Sequence, residues 1–182
     1  DGNYVYIAGY TKSFGAGDDD GFLAKYSSGG SIVWDELWGG AGSDAAHCVA
    51  VSPNGNYVYI AGTGSFGAGG GDGFLAKYSS GGGKVWDRLW GAGHTGAYGV
   101  AVSPDGNYVY IAGYTYEYGA GNGDAFLAKY SSGGGKVWDR LWGGAGYEEQ
   151  RGVIAVSPDG NYVYIAGYTK SFGAGDYDGF LA

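Results

Sequence analysis

The sequence predicts an all-β fold of β-propeller blades, each with four antiparallel strands, in about 3.5 tandem repeats of about 52 residues. The main observation is that one nine-residue segment returns almost unchanged at intervals of 53, 51 and 54 residues, at 1–9, 54–62, 105–113 and 159–167. The repeated blocks are short, rich in β-branched and aromatic residues, and bounded by Gly, Ser, Asn or Asp, which is typical of strands and turns. No segment has the 3.6-residue apolar period of an amphipathic helix.

Four blocks in each repeat account for the four strands. The first is the Tyr-Val-Tyr-Ile-Ala-Gly segment that begins at Tyr4, and the second is the Asp-Gly-Phe-Leu-Ala segment that begins at Asp20. The third is Val33–Trp38, and the fourth is Val49–Pro53. The Ser-Pro-Asn-Gly and Ser-Ser-Gly-Gly segments between blocks predict tight turns, because proline fixes φ and glycine accepts a positive φ.

The alternation of side chains predicts how the strands are buried. Along Tyr4–Tyr10 both faces are apolar, so this strand is expected to be covered on both sides. Val33–Trp38 mixes Asp and Glu with apolar residues, as an outer strand that meets water would. A tandem array of such four-stranded sheets favours propeller blades. A two-layer sandwich would leave one face of each sheet polar, and a right-handed β-helix, which prefers shorter rungs, ranks third.

Composition and charge exclude several classes of protein. The 42 Gly and 3 Pro in 182 residues are typical of low-complexity chains, but 19 Tyr and 6 Trp supply the apolar surface that a folded core needs. A net charge of −8 with 10 basic residues argues against a nucleic-acid partner. No apolar run approaches a membrane-spanning length, so no membrane insertion is expected. The single cysteine, Cys48, excludes an internal disulfide and a thiolate metal cluster.

The repeat resembles the seven-bladed β-propeller repeat family, which is related to the WD40-like propellers. The resemblance covers essentially the whole chain and is carried by residues 20–26, 29, 33–34, 39–45, 49–51 and 55–62 and their counterparts. Asp44 is replaced by Thr95 and Glu148 in the next two repeats, which departs from the pattern. The resemblance implies propeller blades and a secreted or cell-surface protein of bacteria or archaea. It implies no activity, because propellers host enzymes, binders and scaffolds alike.

The chain reads as a single repeat array, with units at 1–53, 54–104 and 105–158 and a partial unit at 159–182. It begins at the second strand of one blade and stops inside the third strand of another. We therefore expect this sequence to be part of a longer propeller or tandem array. Segments 1–24 and 159–182 differ only at Asp19 and Tyr177, which indicates a higher-order period of 158 residues. In the alternative, identical chains complete each other head to tail, and a contact that does not close builds a filament.

Carboxylates supply the one candidate metal site. Asp18, Asp19 and Asp20 resemble the start of a calcium loop, because hard oxygen ligands suit Ca²⁺. The expected downstream bidentate acid is missing, and only the last aspartate recurs, at Asp20, Asp72, Asp124 and Asp178. We therefore expect this aspartate to cap a turn, and we expect no metal, no cofactor and no catalytic residue in the repeat.

Other reactive side chains have ordinary explanations at the level of sequence. His47 and His94 occupy unequal places in a variable connection, so they are expected at the surface or in turns. Cys48 precedes a strand and is expected to be a small core residue. Glu148 and Glu149 are adjacent, so on a strand they would point to opposite faces rather than form an acid–base pair, and a solvated loop is expected.

Charged and aromatic residues follow two patterns of recurrence. Repeated cross-strand ion pairs are expected between lysines and aspartates, namely Lys25, Lys77 and Lys129 with Asp35, Asp87 and Asp139. Three tryptophans that recur in register are expected to pack between blades: Trp34, Trp86 and Trp138. Tyrosines that do not recur uniformly are assigned to loops and are the better candidates for ligand contacts: Tyr98, Tyr114, Tyr116, Tyr118, Tyr147 and Tyr177.

The near-identity of the repeats predicts a non-enzymatic structural protein, extracellular or at the cell surface, that self-associates into a propeller array or filament. Its expected partner is a copy of itself. The alternative is a cell-surface propeller that binds glycans or proteins through loop aromatics. A hydrolase or lyase on the same scaffold ranks third, because a catalytic site needs different groups that converge.

Overall fold

The computed structural model describes residues 2–65, 71–91 and 93–182; Asp1, which opens the repeated motif, lies outside the described residues, as do 66–70 and Ala92. Its regular elements are all strands, and the described part of the chain contains no helix. The strands are β1 (Tyr4–Thr11), β2 (Asp20–Ser27), β3 (Ile32–Trp38), β4 (Ala45–Val51), β5 (Tyr57–Gly64), β6 (Asp72–Ser79), β7 (Lys84–Trp90), β8 (Thr95–Val102), β9 (Tyr108–Thr115), β10 (Asp124–Ser131), β11 (Lys136–Trp142), β12 (Glu148–Val156), β13 (Val163–Thr169) and β14 (Asp178–Leu181).

The strands form four antiparallel sheets, which we number as blades in chain order. Blade 1 is β1-β2-β3, blade 2 is β4-β5-β6-β7, blade 3 is β8-β9-β10-β11, and blade 4 is β12-β13-β14. Within each blade, every strand pairs with the next strand in sequence, so every blade is a simple meander. The predicted all-β fold with four-stranded antiparallel blades is confirmed.

The first strand of blades 2, 3 and 4 is the innermost one. Strand β8 contacts both β4 and β12 although the three belong to different sheets, and β8 also touches β5 and β6 of blade 2. At the other edge, most residues of the outer strands β3, β7 and β11 are exposed, among them Val85 and Leu89, whereas their tryptophans are half-buried or buried. The inner strands of neighbouring sheets therefore lie close together, whereas the outer strands are more exposed to solvent. The sequence predicts this exposure for the strand that contains two tryptophans.

The blades pack face to face through an apolar interface that repeats along the chain. We call the face of a blade that meets the next blade its forward face, and the opposite one its back face. The forward face of blade 2 and the back face of blade 3 share one core, formed by Tyr59, Ala61, Leu75 and Trp90 with Val109, Ile111, Phe126, Ala128 and Tyr130. The core between blades 1 and 2 places Leu23, Tyr6, Trp34 and Trp38 against Val58, Ile60, Phe74, Ala76 and Tyr78.

Hydrogen bonds from the forward face reach the turn of the next blade. The Lys77 ammonium donates to the Ser132 carbonyl at 2.8 Å, and the Trp86 indole N–H donates to the same carbonyl at 3.2 Å. Lys25 and Trp34 make the same pair of bonds to Ser80 one blade earlier. Trp34 and Trp86 are half-buried and pack between blades, as expected.

The expected cross-strand pairing of Lys25, Lys77 and Lys129 with Asp35, Asp87 and Asp139 is wrong. In the register of β6 and β7, Lys77 lies opposite Trp86, whereas Asp87 lies opposite Ala76 on the other face of the sheet. The ammonium of Lys77 sits 3.7 Å from the centroid of the Tyr57 ring, and Asp87 binds Lys84 at 2.7 Å on its own strand. A shift of one residue along a strand reverses the face of a side chain, which is why sequence proximity misled here.

The repeated units and the sheets are offset by one strand. Unit 54–104 supplies β5, β6 and β7 to blade 2 and then β8 to blade 3. Each pair of neighbouring blades is therefore joined through an inner strand, which begins the next sheet. Blades 1 and 4 have three strands each within this chain, blade 1 starting at a second strand and blade 4 ending at a third.

Candidate functional site

The innermost strands carry the largest differences between repeats, and each contains a β-bulge at the same place. Relative to its partner strand, β4 has one extra residue after Ala46, β8 has one after Ala97, and β12 has two after Gln150. The side chains at these extra positions are His47, Tyr98 and Arg151. Bulges re-aim side chains and are common next to binding sites. Three different side chains therefore occupy one repeated position around the inner edge of the blades.

The three bulges meet because small residues let the inner strands come close. A Cβ on Gly99 would lie 2.8 Å from Ile154 and 3.3 Å from the Gly152 carbonyl oxygen. Gly152 has φ of 81° and faces the Tyr98 carbonyl, a conformation that favours glycine. A cleft of about 530 Å³ opens beside them, lined by His47, Cys48, Tyr98, Tyr114, Glu149, Arg151 and Gly152. We call it the axial cleft.

Aromatic rings form a row that starts in this cleft and crosses three blades. His47 stacks on Tyr98 with ring centroids 4.6 Å apart, and Tyr98 stacks on Tyr114 at 5.2 Å with ring planes only 6° apart. Tyr147 then contacts Tyr114 edge-on and stacks on Tyr116 at 5.9 Å. The row ends with Tyr168 and Tyr177, which meet edge to face.

Five of the six tyrosines proposed from sequence as contact residues are thus brought together, in one row. Tyr98 and Tyr114 lie on β8 and β9 rather than in loops, so their assignment to loops is wrong. Tyr118 lies apart from the row, 6.0 Å from the Trp90 ring. Sequence reasoning missed Tyr168 because it belongs to a segment that recurs almost unchanged in the first repeat.

A buried carboxylate joins this row to the only cation in the cleft. The Glu149 side chain accepts hydrogen bonds from the Tyr147 hydroxyl, the Tyr168 hydroxyl and the Arg151 Nε–H. Burial alone would raise the pKa of Glu149, but these hydrogen bonds outweigh it and hold the pKa below its ordinary value. Glu149 is therefore ionised at neutral pH.

Glu148 points to the opposite side of β12 and has a separate, structural set of partners. It accepts a hydrogen bond from the Gly144 backbone N–H at 2.9 Å and another from the Thr169 hydroxyl at 2.7 Å. The expectation that Glu148 and Glu149 face opposite ways is confirmed, but the expected solvated loop is wrong. Both residues lie in β12 and are almost fully buried, which these hydrogen bonds permit.

Asp44 and Thr95 occupy the position that Glu148 occupies in blade 4. All three residues are buried, and each donates its backbone N–H to a carbonyl of the preceding blade. The Asp44 carboxylate accepts from the Gly40 N–H at 2.7 Å and from the Ser65 N–H at 2.7 Å. The residue type at this position therefore varies between repeats, but in each repeat the residue hydrogen-bonds to the preceding blade.

The histidines lie at the surface, as the sequence predicts, whereas Cys48 lies within β4 rather than before a strand. His47 and His94 are exposed, His47 at the bulge of β4 and His94 in a turn with φ of 42°. Partial desolvation lowers the pKa of His47, so its imidazole is neutral at neutral pH. Cys48 packs beside the core between blades 2 and 3, and burial raises the pKa of its thiol to about 12. The thiol is therefore protonated and a poor nucleophile.

The recurrent aspartate caps a turn, as expected. The Asp20 carboxylate accepts a hydrogen bond from the Gly17 N–H at 2.9 Å, and Asp178 does the same for Gly175 at 3.0 Å. Asp124 accepts from Gly121 at 3.3 Å. Within residues 2–65, 71–91 and 93–182, no group of three or more His, Cys, Asp or Glu side chains is arranged to hold a metal ion.

The repeated antiparallel sheets, their adjacent inner strands and the buried faces between them define a repeat protein of the β-propeller type. Neither a protein-family model nor a curated protein sequence matches this chain. In the described part of the chain, the structure includes no helix of the length and apolarity needed to span a membrane.

Two solved structures are similar to this chain to different degrees. One is the hydrazine synthase of Kuenenia stuttgartiensis, with a TM-score of 0.57 and 15% identity over 83% of this chain and 40% of that chain. The other is a eukaryotic initiation factor, with a TM-score of 0.41 and 10% identity over 90% of this chain and 46% of that chain. This chain spans less than half the length of either. The first likeness supports the propeller-type fold and nothing about activity.

Proposed function

We propose that this chain is a non-enzymatic, extracellular or cell-surface structural repeat protein of the seven-bladed β-propeller repeat type. It self-associates end to end into a propeller array or filament through the free faces of blades 1 and 4. The observation that carries this proposal is that the strands on both free faces repeat, almost unchanged, strands whose equivalent faces are buried inside the chain.

The back face of blade 1 has the composition of an interface without its partner. Val5 and Ile7 correspond to Val109 and Ile111 in an identical eight-residue strand sequence. Val109 and Ile111 are fully buried beneath blade 2, whereas Val5 is 54% exposed and Ile7 is 41% exposed. A cluster of exposed apolar side chains that is a core elsewhere in the same molecule favours a protein partner.

The forward face of blade 4 is the matching half. Tyr164 and Ala166 correspond to Tyr110 and Ala112 of blade 3, and Leu181 lies opposite Ala166 on β14. Leu181 is 75% exposed, and the neighbouring Val153 and Tyr164 are exposed as well. Docking this face on the back face of blade 1 in a second copy would reproduce the part of the contact between consecutive blades that the second and third strands make. Such a head-to-tail contact closes into a ring or continues as a filament.

The test is a charge introduced on the free back face. Ile7→Asp is expected to leave the chain folded and monomeric, because Ile7 is exposed in the single chain and a buried aspartate would block docking. The unaltered protein is expected to form higher oligomers as its concentration rises, measured by sedimentation velocity and by electron microscopy.

Val33→Asp is the matched control for Ile7→Asp. Val33 is as exposed as its counterparts Val85 and Val137. Blades 2 and 3 have a neighbouring blade, yet it leaves Val85 and Val137 uncovered, so docking of a second copy should leave Val33 uncovered as well. This variant should associate as the unaltered protein does. Monodisperse single chains of the unaltered protein at every concentration would refute the proposal, and so would equal association of the Ile7→Asp variant.

Recognition of glycans or proteins through aromatic side chains is a second candidate function, favoured by the row of rings. Tyr116 and Tyr177 lie in this row and keep about half of their surface exposed. Exposed ring faces can stack on the apolar faces of sugars. On a glycan array, the unaltered protein is expected to retain a subset of glycans that Tyr116→Ala loses and that Tyr118→Ala, outside the row, keeps. No retention by the unaltered protein would remove the sugar version of this candidate.

A further inference from the structure

In the ion pair of the axial cleft, the cation Arg151 is exposed and the anion Glu149 is buried. The Arg151 side chain is 71% exposed, whereas that of Glu149 is 4% exposed. The carboxylate is occupied by the Tyr147 and Tyr168 hydroxyls as well as by Arg151. Arg151 uses its Nε–H for this pair, and its side chain remains largely exposed, so the guanidinium can offer further N–H donors to another acceptor.

Apart from Arg151 and the buried Glu149, the residues that line the cleft are uncharged. Its other wall is formed by Tyr98 and Tyr114, whose hydroxyls are 3.3 Å apart, and by the neutral imidazole of His47. The protonated Cys48 thiol donates to the Ala61 carbonyl. A cleft with one exposed cation and an apolar wall suits a small organic anion.

The position of these groups in the repeat also points to a ligand. The outer strands β7 and β11 are identical in sequence, Lys-Val-Trp-Asp-Arg-Leu-Trp, because each must make the same contact between blades. The equivalent bulge positions instead carry His47, Tyr98 and Arg151, and they converge on one cleft. Different side chains at equivalent positions are what an asymmetric ligand requires and what blade packing does not.

The geometry points to a binding site for a small monocarboxylate with an organic body, held by the Nη groups of Arg151 against Tyr98 and Tyr114. A planar carboxylate matches the two parallel donors of a guanidinium. A cationic ligand would be repelled by Arg151. A neutral sugar offers no charge to pair with the exposed guanidinium of Arg151. Phosphate offers no group to contact the apolar wall.

The cleft is lined by residues of blades 2, 3 and 4, and its binding test does not use the residues that are altered to test self-association. It narrows the second candidate function to one class of ligand. Loss of glycan retention by the Tyr116→Ala variant and loss of carboxylate binding in the cleft are separate results, so either proposal can fail alone.

The experiment measures binding of benzoate and glucuronate to the whole chain by titration calorimetry, with benzyl alcohol, glucose and inorganic phosphate as comparison ligands. At least one carboxylate is expected to bind in the millimolar range or more tightly, and more tightly than its neutral counterpart and phosphate. Arg151→Gln is expected to weaken that binding about tenfold or more, because a charge-assisted hydrogen bond is lost. Arg140→Gln, which removes an exposed arginine on β11, should leave the binding unchanged.

Removing Arg151 alone leaves Glu149 buried without its cation, which can unfold the blade. The double variant Glu149→Gln with Arg151→Gln removes both charges, and it should fold by circular dichroism and fail to bind the carboxylate. The proposal is overturned if the unaltered protein binds neither carboxylate, or if the neutral counterpart or phosphate binds as tightly. Carboxylate binding retained by a folded variant without Arg151 would overturn it as well.

Discussion

Replacing Trp90 by alanine is expected to lower the free energy of unfolding by about 3–5 kcal/mol, because it leaves a cavity in the core between blades 2 and 3. Trp90 is the most buried of the six tryptophans. Its ring stacks on Phe126 with centroids 3.8 Å apart, and its indole N–H donates to Asp139 at 3.0 Å. Both partners lie in blade 3, so the substitution would remove contacts between two blades rather than contacts at an exposed surface.

Chemical denaturation followed by tyrosine fluorescence and circular dichroism measures this loss. Leu89→Ala is the matched control on the same strand, since Leu89 is exposed and its loss is expected to cost less than about 0.5 kcal/mol. Trp86→Ala should fall between the two, because Trp86 is half-buried and bonds Ser132. A Trp90→Ala loss below about 1 kcal/mol would mean that the faces of blades 2 and 3 are not joined as described.

Ile111→Ala is expected to cost about 2–5 kcal/mol, while Ile7→Ala is expected to cost less than about 1 kcal/mol. The two isoleucines sit at the same place in the identical strand sequence Tyr-Val-Tyr-Ile-Ala-Gly-Tyr-Thr. Ile111 is fully buried, whereas Ile7 is 41% exposed. Local sequence is therefore held constant, and the difference isolates the contribution of the neighbouring blade.

The comparison is made by equilibrium denaturation at a concentration where the chain is monomeric by sedimentation. At higher concentration, where copies associate, the cost of Ile7→Ala should rise, because the same side chain then becomes covered. Equal losses for Ile7→Ala and Ile111→Ala in the monomer would show that strand sequence, rather than packing between blades, sets the stability.

The strands themselves could be predicted from the sequence with little loss. Apolar alternation, turn residues and the recurrence of each block place β5, β6 and β7 within a few residues of where they lie. The Asp20 turn cap also follows from the sequence, because its partner Gly17 is only three residues away. These features are local, so they depend on interactions that a short stretch of chain contains.

The candidate site could be predicted only in part. The irregular tyrosines Tyr98 and Tyr147 were recognisable because they break the repeat, but Arg151 and its partner Glu149 were not. The one available signal was the uneven spacing of the inner strands, which reflects the extra residues at the bulges. The direction in which a bulge aims its side chain depends on the pairing register, which the sequence alone leaves open.

The order of the strands, the turns between them and the antiparallel meander of each blade were determined by the amino-acid sequence, because adjacent residues and a period of two govern them. The tertiary structure alone decided which copies are buried: β1 and β9 share all eight residues, yet only β9 has a blade on each side. It also decided that Lys77 meets a carbonyl of the next blade rather than Asp87. Burial and partnership are properties of the neighbours that a strand meets in space, so identical segments can differ in both.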